Sequence, residues 1–165
     1  MATVQLPNQE SFAIIALVAE VTRGEFAQKI LTAQLRTFCQ QLGVSSVYKR
    51  ERSADQKNSE LVVALKVSSF LPKKELVNRL SELHLKEAGA SAETILLTLN
   101  HDVWMHPGGS LPDLRLAKDR LFLRCAAEVW GDYEHPILAK TLTELVKLYP
   151  ALDTIEFFAQ GTYLY

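Results

Sequence analysis

The alternation of apolar and polar positions divides the chain into strand and helix signals. Residues 12–21 are almost unbroken apolar sequence, as expected of a central strand covered on both faces. Thr22-Arg23-Gly24-Glu25 punctuates this run. Phe26, Ile30, Leu31, Leu35, Phe38, Cys39 and Leu42 then recur at helical spacing, and Gly43 stands where a helix would end on glycine. Residues 44–52 read as a strand, 53–59 as a polar turn, and 61–67 as a β-branched apolar strand. Pro72 suits the first turn of a helix whose buried stripe is Leu76, Val77, Leu80 and Leu83. Residues 88–92 loosen the chain, 94–105 read as a fourth strand, and Pro107-Gly108-Gly109 stops it. Helices are predicted near 119–130 and 139–148, and residues 154–158 read as a short final strand.

The order βαββαβ is that of an α+β, ferredoxin-like sandwich, here with additional C-terminal helices and a short terminal strand. A length of 165 residues suits a single domain over 1–165. Lys and Arg number 18 against 19 Asp and Glu, so no charge excess draws nucleic acid or an acidic membrane. The one dense basic run, residues 49–52, reads as a solvated strand end. Cys39 and Cys125 fall in apolar helical patterns and read as buried reduced thiols rather than a disulfide framework. The apolar run 12–19 is too short to span a bilayer. No basic stretch precedes it as in a secretory signal, and the expectation is a cytoplasmic protein.

Candidate chemistry concentrates in the stretch LLTLNHDVW, residues 96–104. On a continuous strand Thr98, Asn100, Asp102 and Trp104 share one face, and Leu99, His101 and Val103 the other. An amide oxygen and a carboxylate at i and i+2 are hard oxygen ligands of the kind Mg²⁺ takes. Asn100 brings no charge, so the pair would hold a metal more weakly than two carboxylates. The plain alternative is that both side chains close a strand in hydrogen bonds. His101 and His106 stand five apart, which matches no zinc spacing; His84 lies near an apolar stripe, and His135 precedes Pro136 in a turn. Cys125 has no base beside it in sequence, and no glycine-rich phosphate loop is present.

Residues 110–145, SLPDLRLAKDRLFLRCAAEVWGDYEHPILAKTLTEL, resemble the C-terminal part of the hydroxymethyldihydropterin pyrophosphokinase family of folate biosynthesis. The shared order is Leu111-Pro112, Arg115, Glu128 within a helix, His135-Pro136, and Ala139-Lys140-Thr141 opening a helix that ends in Glu144-Leu145. Upstream, residues 44–48 are similar to the family's second strand, 61–67 to its third and 72–83 to the helix that follows. The resemblance covers residues 12–149; the tail after Pro150 is extra. LTLNHDVW lies where the family has a Leu-Asp-Leu-Asp strand whose aspartates hold magnesium.

The resemblance implies transfer of pyrophosphate from ATP to 6-hydroxymethyl-7,8-dihydropterin, with Mg²⁺ and ATP as cofactors. It would assign the metal to Asp102 and Asn100, phosphate to Arg115, Lys118 and Arg120, and a pterin-like pocket to Phe122 and Glu60. Several positions depart from the family. Asn100 replaces an aspartate, Glu60 a pterin-contacting asparagine, Asp113 a histidine, and Val18-Ala19-Glu20 a Gly-Ser-Asn. In a gapless alignment Asp119 and Leu121 replace an arginine and a phenylalanine, which a one-residue slip restores as Arg120 and Phe122. From Glu87 through Leu114 there is no Lys or Arg, where the family carries several ATP-clamping arginines. The departures favour a divergent member, non-catalytic or repurposed to bind a small molecule or a protein partner. An active pterin pyrophosphokinase is the alternative, and a ferredoxin-like interaction module is a third reading.

Overall fold

A computed structural model describes residues 8–51, 59–87, 89–106, 109–149 and 155–165. Its elements are β1 (Ser11–Glu20), α1 (Gly24–Leu35), β2 (Gln40–Val44), β3 (Val47–Glu51), β4 (Ser59–Ser69), α2 (Lys73–Glu82), β5 (His84–Glu87) and β6 (Ala90–Leu99). There follow β7 (Trp104–His106), β8 (Gly109–Leu111), α3 (Arg115–Lys118), α4 (Arg120–Trp130), α5 (Leu142–Leu148), β9 (Ile155–Ala159) and a 3-10 turn, Gly161–Leu164. The main sheet is antiparallel with order β5-β6-β1-β4-β3-β9, and β2 lies on β4 beside β3. β7 and β8 form a separate hairpin. This is the expected α+β, ferredoxin-like arrangement.

β1 is central because its side chains serve two cores. Ala13, Ile15, Leu17 and Ala19 pack with α1 and α2, through Leu31, Leu35, Leu76 and Leu80. Ile14, Ala16 and Val18 face α4 and α5, through Phe122, Cys125, Ala126 and Leu142. Alternation on a strand covered twice yields the unbroken apolar run seen in the sequence. Each fully buried Ile or Leu stabilises the fold by roughly 1.5–3 kcal/mol.

Several sequence expectations are corrected. The first helix ends at Leu35, not near Leu42, and Phe38 and Cys39 donate backbone N–H bonds to the Leu35 carbonyl as the chain turns back. Gly43 lies in β2 beside a register shift, and Phe26 and Leu42 are exposed. The chain has to reverse here to reach the edge of β4, and that tertiary requirement overrides the apolar spacing. Cys39 therefore sits beyond the helix, whereas Cys125 lies within α4; both are buried free thiols. The predicted strand 44–52 is broken at Ser45-Ser46: Ser45 N–H donates to the Ala64 carbonyl, and its Oγ accepts from Ala64 N–H. Of the predicted turn 53–59, residues 53–58 lie outside the described residues, and Ser59 already opens β4. Residues 90–92 belong to β6, which forms a hairpin with β5 through Gly89 at φ 79. The predicted strand 94–105 stops at Leu99, and the terminal strand appears as β9.

Candidate functional site

Because β6 ends at Leu99, the face assumed for Asn100, Asp102 and Trp104 is not a strand face. Opposite Ile14 and Ile15 the register slips, so that Thr98 and Leu96 are the paired residues and Leu97 is extra. At this bulge Ile14 N–H donates to Thr98 Oγ1 at 3.1 Å. Asn100 then turns into left-handed backbone at φ 47, a conformation asparagine tolerates better than most residues. Its N–H donates to the Phe12 carbonyl at 2.7 Å, and its Oδ1 accepts from Phe12 N–H at 2.8 Å. The Asn100 side chain thus continues the ladder after the backbone has left it.

Asp102 accepts from Lys73 Nζ, at the start of α2, at 2.6 Å. Tyr133 is buried; its hydroxyl donates to the Asn100 carbonyl at 2.6 Å. Burial pushes this phenol up to about 12, and the charge of Asp102 adds to the rise. The His101 ring stacks on Tyr133 at 4.8 Å, with Trp130 edge-on at 5.0 Å.

The three predicted phosphate residues do converge. Arg115, Lys118 and Arg120 line an open pocket of about 570 Å³ together with Arg50, Leu114 and Asp119. Arg115 pairs with Asp113, at 3.0 and 3.2 Å to its two oxygens. Arg120 lies 5.5 Å from the centre of the Tyr149 ring. Arg115 also lines a second cavity, about 240 Å³, between α2 and β6.

Glu60 and Phe122, assigned to a pterin-like pocket, are both only 3% exposed, and one side chain links them. Arg50 donates through Nε and one terminal nitrogen to Glu60 Oε1, at 3.0 and 2.7 Å. Its other terminal nitrogen reaches Asp119 Oδ1 at 2.7 Å. The guanidinium lies 5.9 Å from the centre of the Phe122 ring, and that of Arg115 lies 5.7 Å from it. Burial alone would lower the Arg50 pKa, but the bonds to Asp119 and Glu60 prevail and raise it. Asp119 also caps α4 by accepting from Leu121 N–H. Sequence reading missed Arg50 by treating residues 49–52 as a solvated end. Its signal was available as a cross-strand opposite-charge pair, because Arg50 stands directly opposite Glu60.

The residues that carry the resemblance have structural partners. Glu128 accepts from the Tyr48 hydroxyl and from Ser46 N–H, pinning α4 to the β2–β3 junction. His135 Nδ1 accepts from the N–H groups of Ile137 and Leu138. Thr141 caps α5 by accepting from Glu144 N–H. Among the described residues no three His, Cys, Asp or Glu are placed to share a metal ion, and no helix is long and apolar enough to cross a membrane.

No protein-family model matches the sequence, and no curated protein matches it. Solved structures do. Plasmodium falciparum HPPK-DHPS, wild type with pterin and p-hydroxybenzoate, superposes with a TM-score of 0.65 at 12% identity over 88% of this chain and 43% of that one. The wild type with pteroate gives 0.61 at 10% identity, over 88% and 43%. A variant with SDX-DHP gives 0.69 at 10% identity, over 86% and 46%. The chain therefore spans less than half the length of these proteins. At such identity the likeness shows the fold: this chain is built like a part, less than half, of Plasmodium falciparum HPPK-DHPS.

Proposed function

We propose that the chain is a divergent pyrophosphokinase-like domain that does not transfer pyrophosphate and instead binds a small anionic ligand at Arg115, Lys118 and Arg120. The observation that carries this reading is Arg50. Its guanidinium fills the space between Glu60, Asp119 and Phe122, where the resemblance would seat a pterin. A planar substrate there would have to break three short hydrogen bonds, two of them to a buried carboxylate.

The donors assigned to magnesium support the same reading. Asn100 Oδ1 is committed to Phe12 N–H, and Lys73 already supplies a cation to Asp102. The i, i+2 pair that does close β6 is Thr98 and Asn100, neither of them charged and both bonded to β1. This donor set does not suit a magnesium ion, and no catalytic step is assigned through one. The active-enzyme reading draws on one observation, the gathering of Arg115, Lys118 and Arg120 at one open pocket. Cations so placed suit phosphate oxygens with or without a metal.

A thermal-shift titration separates the readings. Inorganic pyrophosphate alone is expected to stabilise the protein, with the gain reduced in Arg115→Ala. Adding Mg²⁺ with a non-hydrolysable ATP analogue and hydroxymethylpterin is expected to bring no further magnesium-dependent rise. Magnesium-dependent formation of AMP by the pure protein, abolished by Asp102→Ala, would overturn the proposal.

A further inference from the structure

The pocket that gathers Arg115, Lys118 and Arg120 has little positive charge to spare. Arg50 also lines it but is bound by Glu60 and Asp119, and Arg115 is bound by Asp113. Among the described residues four cations thus stand against three carboxylates, a surplus of one. A phosphate monoester carries roughly −1.5 to −2 at pH 7. A chain of phosphates brings more negative charge, and charge taken out of water without a partner weighs against binding.

The donors that remain suit a single head group. Arg115 reaches Asp113 through one terminal nitrogen, at 3.0 and 3.2 Å to the two oxygens. Asp113 is 8% exposed and also accepts from the Arg115 backbone N–H at 2.9 Å, so it fixes this residue in place. Among the described residues the Nε and the second terminal nitrogen of Arg115 have no partner, and neither has Lys118 Nζ. Arg115 and Lys118 are three apart on α3 and therefore neighbours on its surface. One edge of a guanidinium binds two oxygens side by side, and an ammonium binds another. A phosphate monoester offers three terminal oxygens to such a set, and a carboxylate only two.

The same pocket has an apolar side. Leu114 lines it, four residues before Lys118 and 62% exposed. The Tyr149 ring is fixed against this turn, because its hydroxyl donates to the Ala117 carbonyl at 2.7 Å and Arg120 lies beside the ring. Apolar surface set next to cations suits a ligand whose charge adjoins an apolar body.

We propose that this site takes a small phosphate monoester with an apolar body, the phosphate held by Arg115 and Lys118 and the body lying on Leu114. This rests on the reading that the site binds an anion and names the class of that anion.

Calorimetric titration with phenyl phosphate, methyl phosphate, pyrophosphate and tripolyphosphate tests it. Phenyl phosphate is expected to bind about fivefold or more tighter than methyl phosphate. Leu114→Ser is expected to abolish that preference, and Lys118→Ala to weaken both esters while keeping it. Tripolyphosphate is expected to bind no tighter than pyrophosphate. Phosphatidylcholine vesicles containing phosphatidic acid present the same head group with its apolar body buried in lipid, and they are expected not to retain the protein. Pyrophosphate binding without preference for the phenyl ester, a preference that survives Leu114→Ser, a gain from tripolyphosphate, or retention on the vesicles would overturn this inference and leave the anion site standing. Failure of all four anions to bind would overturn the proposed function with it.

Discussion

Tyr163→Phe removes one oxygen from the tail and is expected to destabilise the whole fold. Gln28 is completely buried on α1. Its amide nitrogen donates to the carbonyls of Leu17 on β1 and Leu61 on β4, both at 3.3 Å. Among the described residues its oxygen has one partner, the Tyr163 hydroxyl at 2.7 Å. Phenylalanine keeps the ring and its place near Lys29 but leaves that oxygen dry and unbonded. An unsatisfied buried acceptor costs about 1–3 kcal/mol. Taking about 2 kcal/mol, a chain of this size should melt roughly 4–8 °C lower. Urea unfolding should show a lower midpoint at unchanged slope. A double-mutant cycle with Gln28→Met attributes the loss. If the bond is the cause, Tyr163→Phe costs less once Gln28 is gone, with a coupling of about 1 kcal/mol or more. A loss under about 0.5 kcal/mol in the single variant, the scale of an ordinary surface change, would refute the reasoning. So would an additive cycle.

Three further predictions follow from the site. Arg50→Met strands the Glu60 carboxylate and should cost about 2–4 kcal/mol, less than a wholly buried pair because Arg50 is a quarter exposed; chemical denaturation measures it, and Glu60→Gln in the same background should restore part of the loss. Asn100→Ala should cost about 1–3 kcal/mol by unpairing Phe12 N–H, whereas Asn100→Asp should keep that bond and still confer no magnesium-dependent ATP binding in calorimetry. Burial lowers the His135 pKa, and its neutral Nδ1 is what accepts the N–H groups of Ile137 and Leu138. Below about pH 6.5 the unfolded chain takes up a proton there that the folded chain does not. Stability should therefore fall as pH drops from about 6.5 to the lowered folded pKa, and His135→Asn should flatten that part of the profile.

Most of the sheet was legible because a strand buried on both faces writes itself as a long apolar run, as β1 and β4 do. The errors lie where tertiary demands bend a regular pattern. α1 stops at Leu35 although apolar spacing continues to Leu42, because the chain must reverse onto the edge of β4. β6 stops at Leu99 although its alternation continues to Trp104, because Asn100 turns left-handed and Tyr133 holds its carbonyl. That second error removes the shared strand face on which Asn100 and Asp102 were paired: a face can be counted from sequence only while the strand persists. Arg50 was overlooked because no local pattern separates a charge at an exposed strand end from one folded inward onto Glu60 and Asp119.

The hydrogen bonds also bear on which residues carry a resemblance at all. Glu128, His135 and Thr141, which carry much of the resemblance, each satisfy backbone N–H groups at a helix start, a tight turn or a strand junction. These bonds fix a helix start, a turn and a strand junction that belong to the fold, whatever the chain binds. The positions that would touch a substrate carry no such obligation. The carboxylates of Glu60 and Asp119 are both compensated, because Arg50 pairs with each. A site in mere decay would leave buried charges unpaired. Here the charges are matched across β3, β4 and the start of α4, and the network holds in place β3, the strand on which β9 pairs.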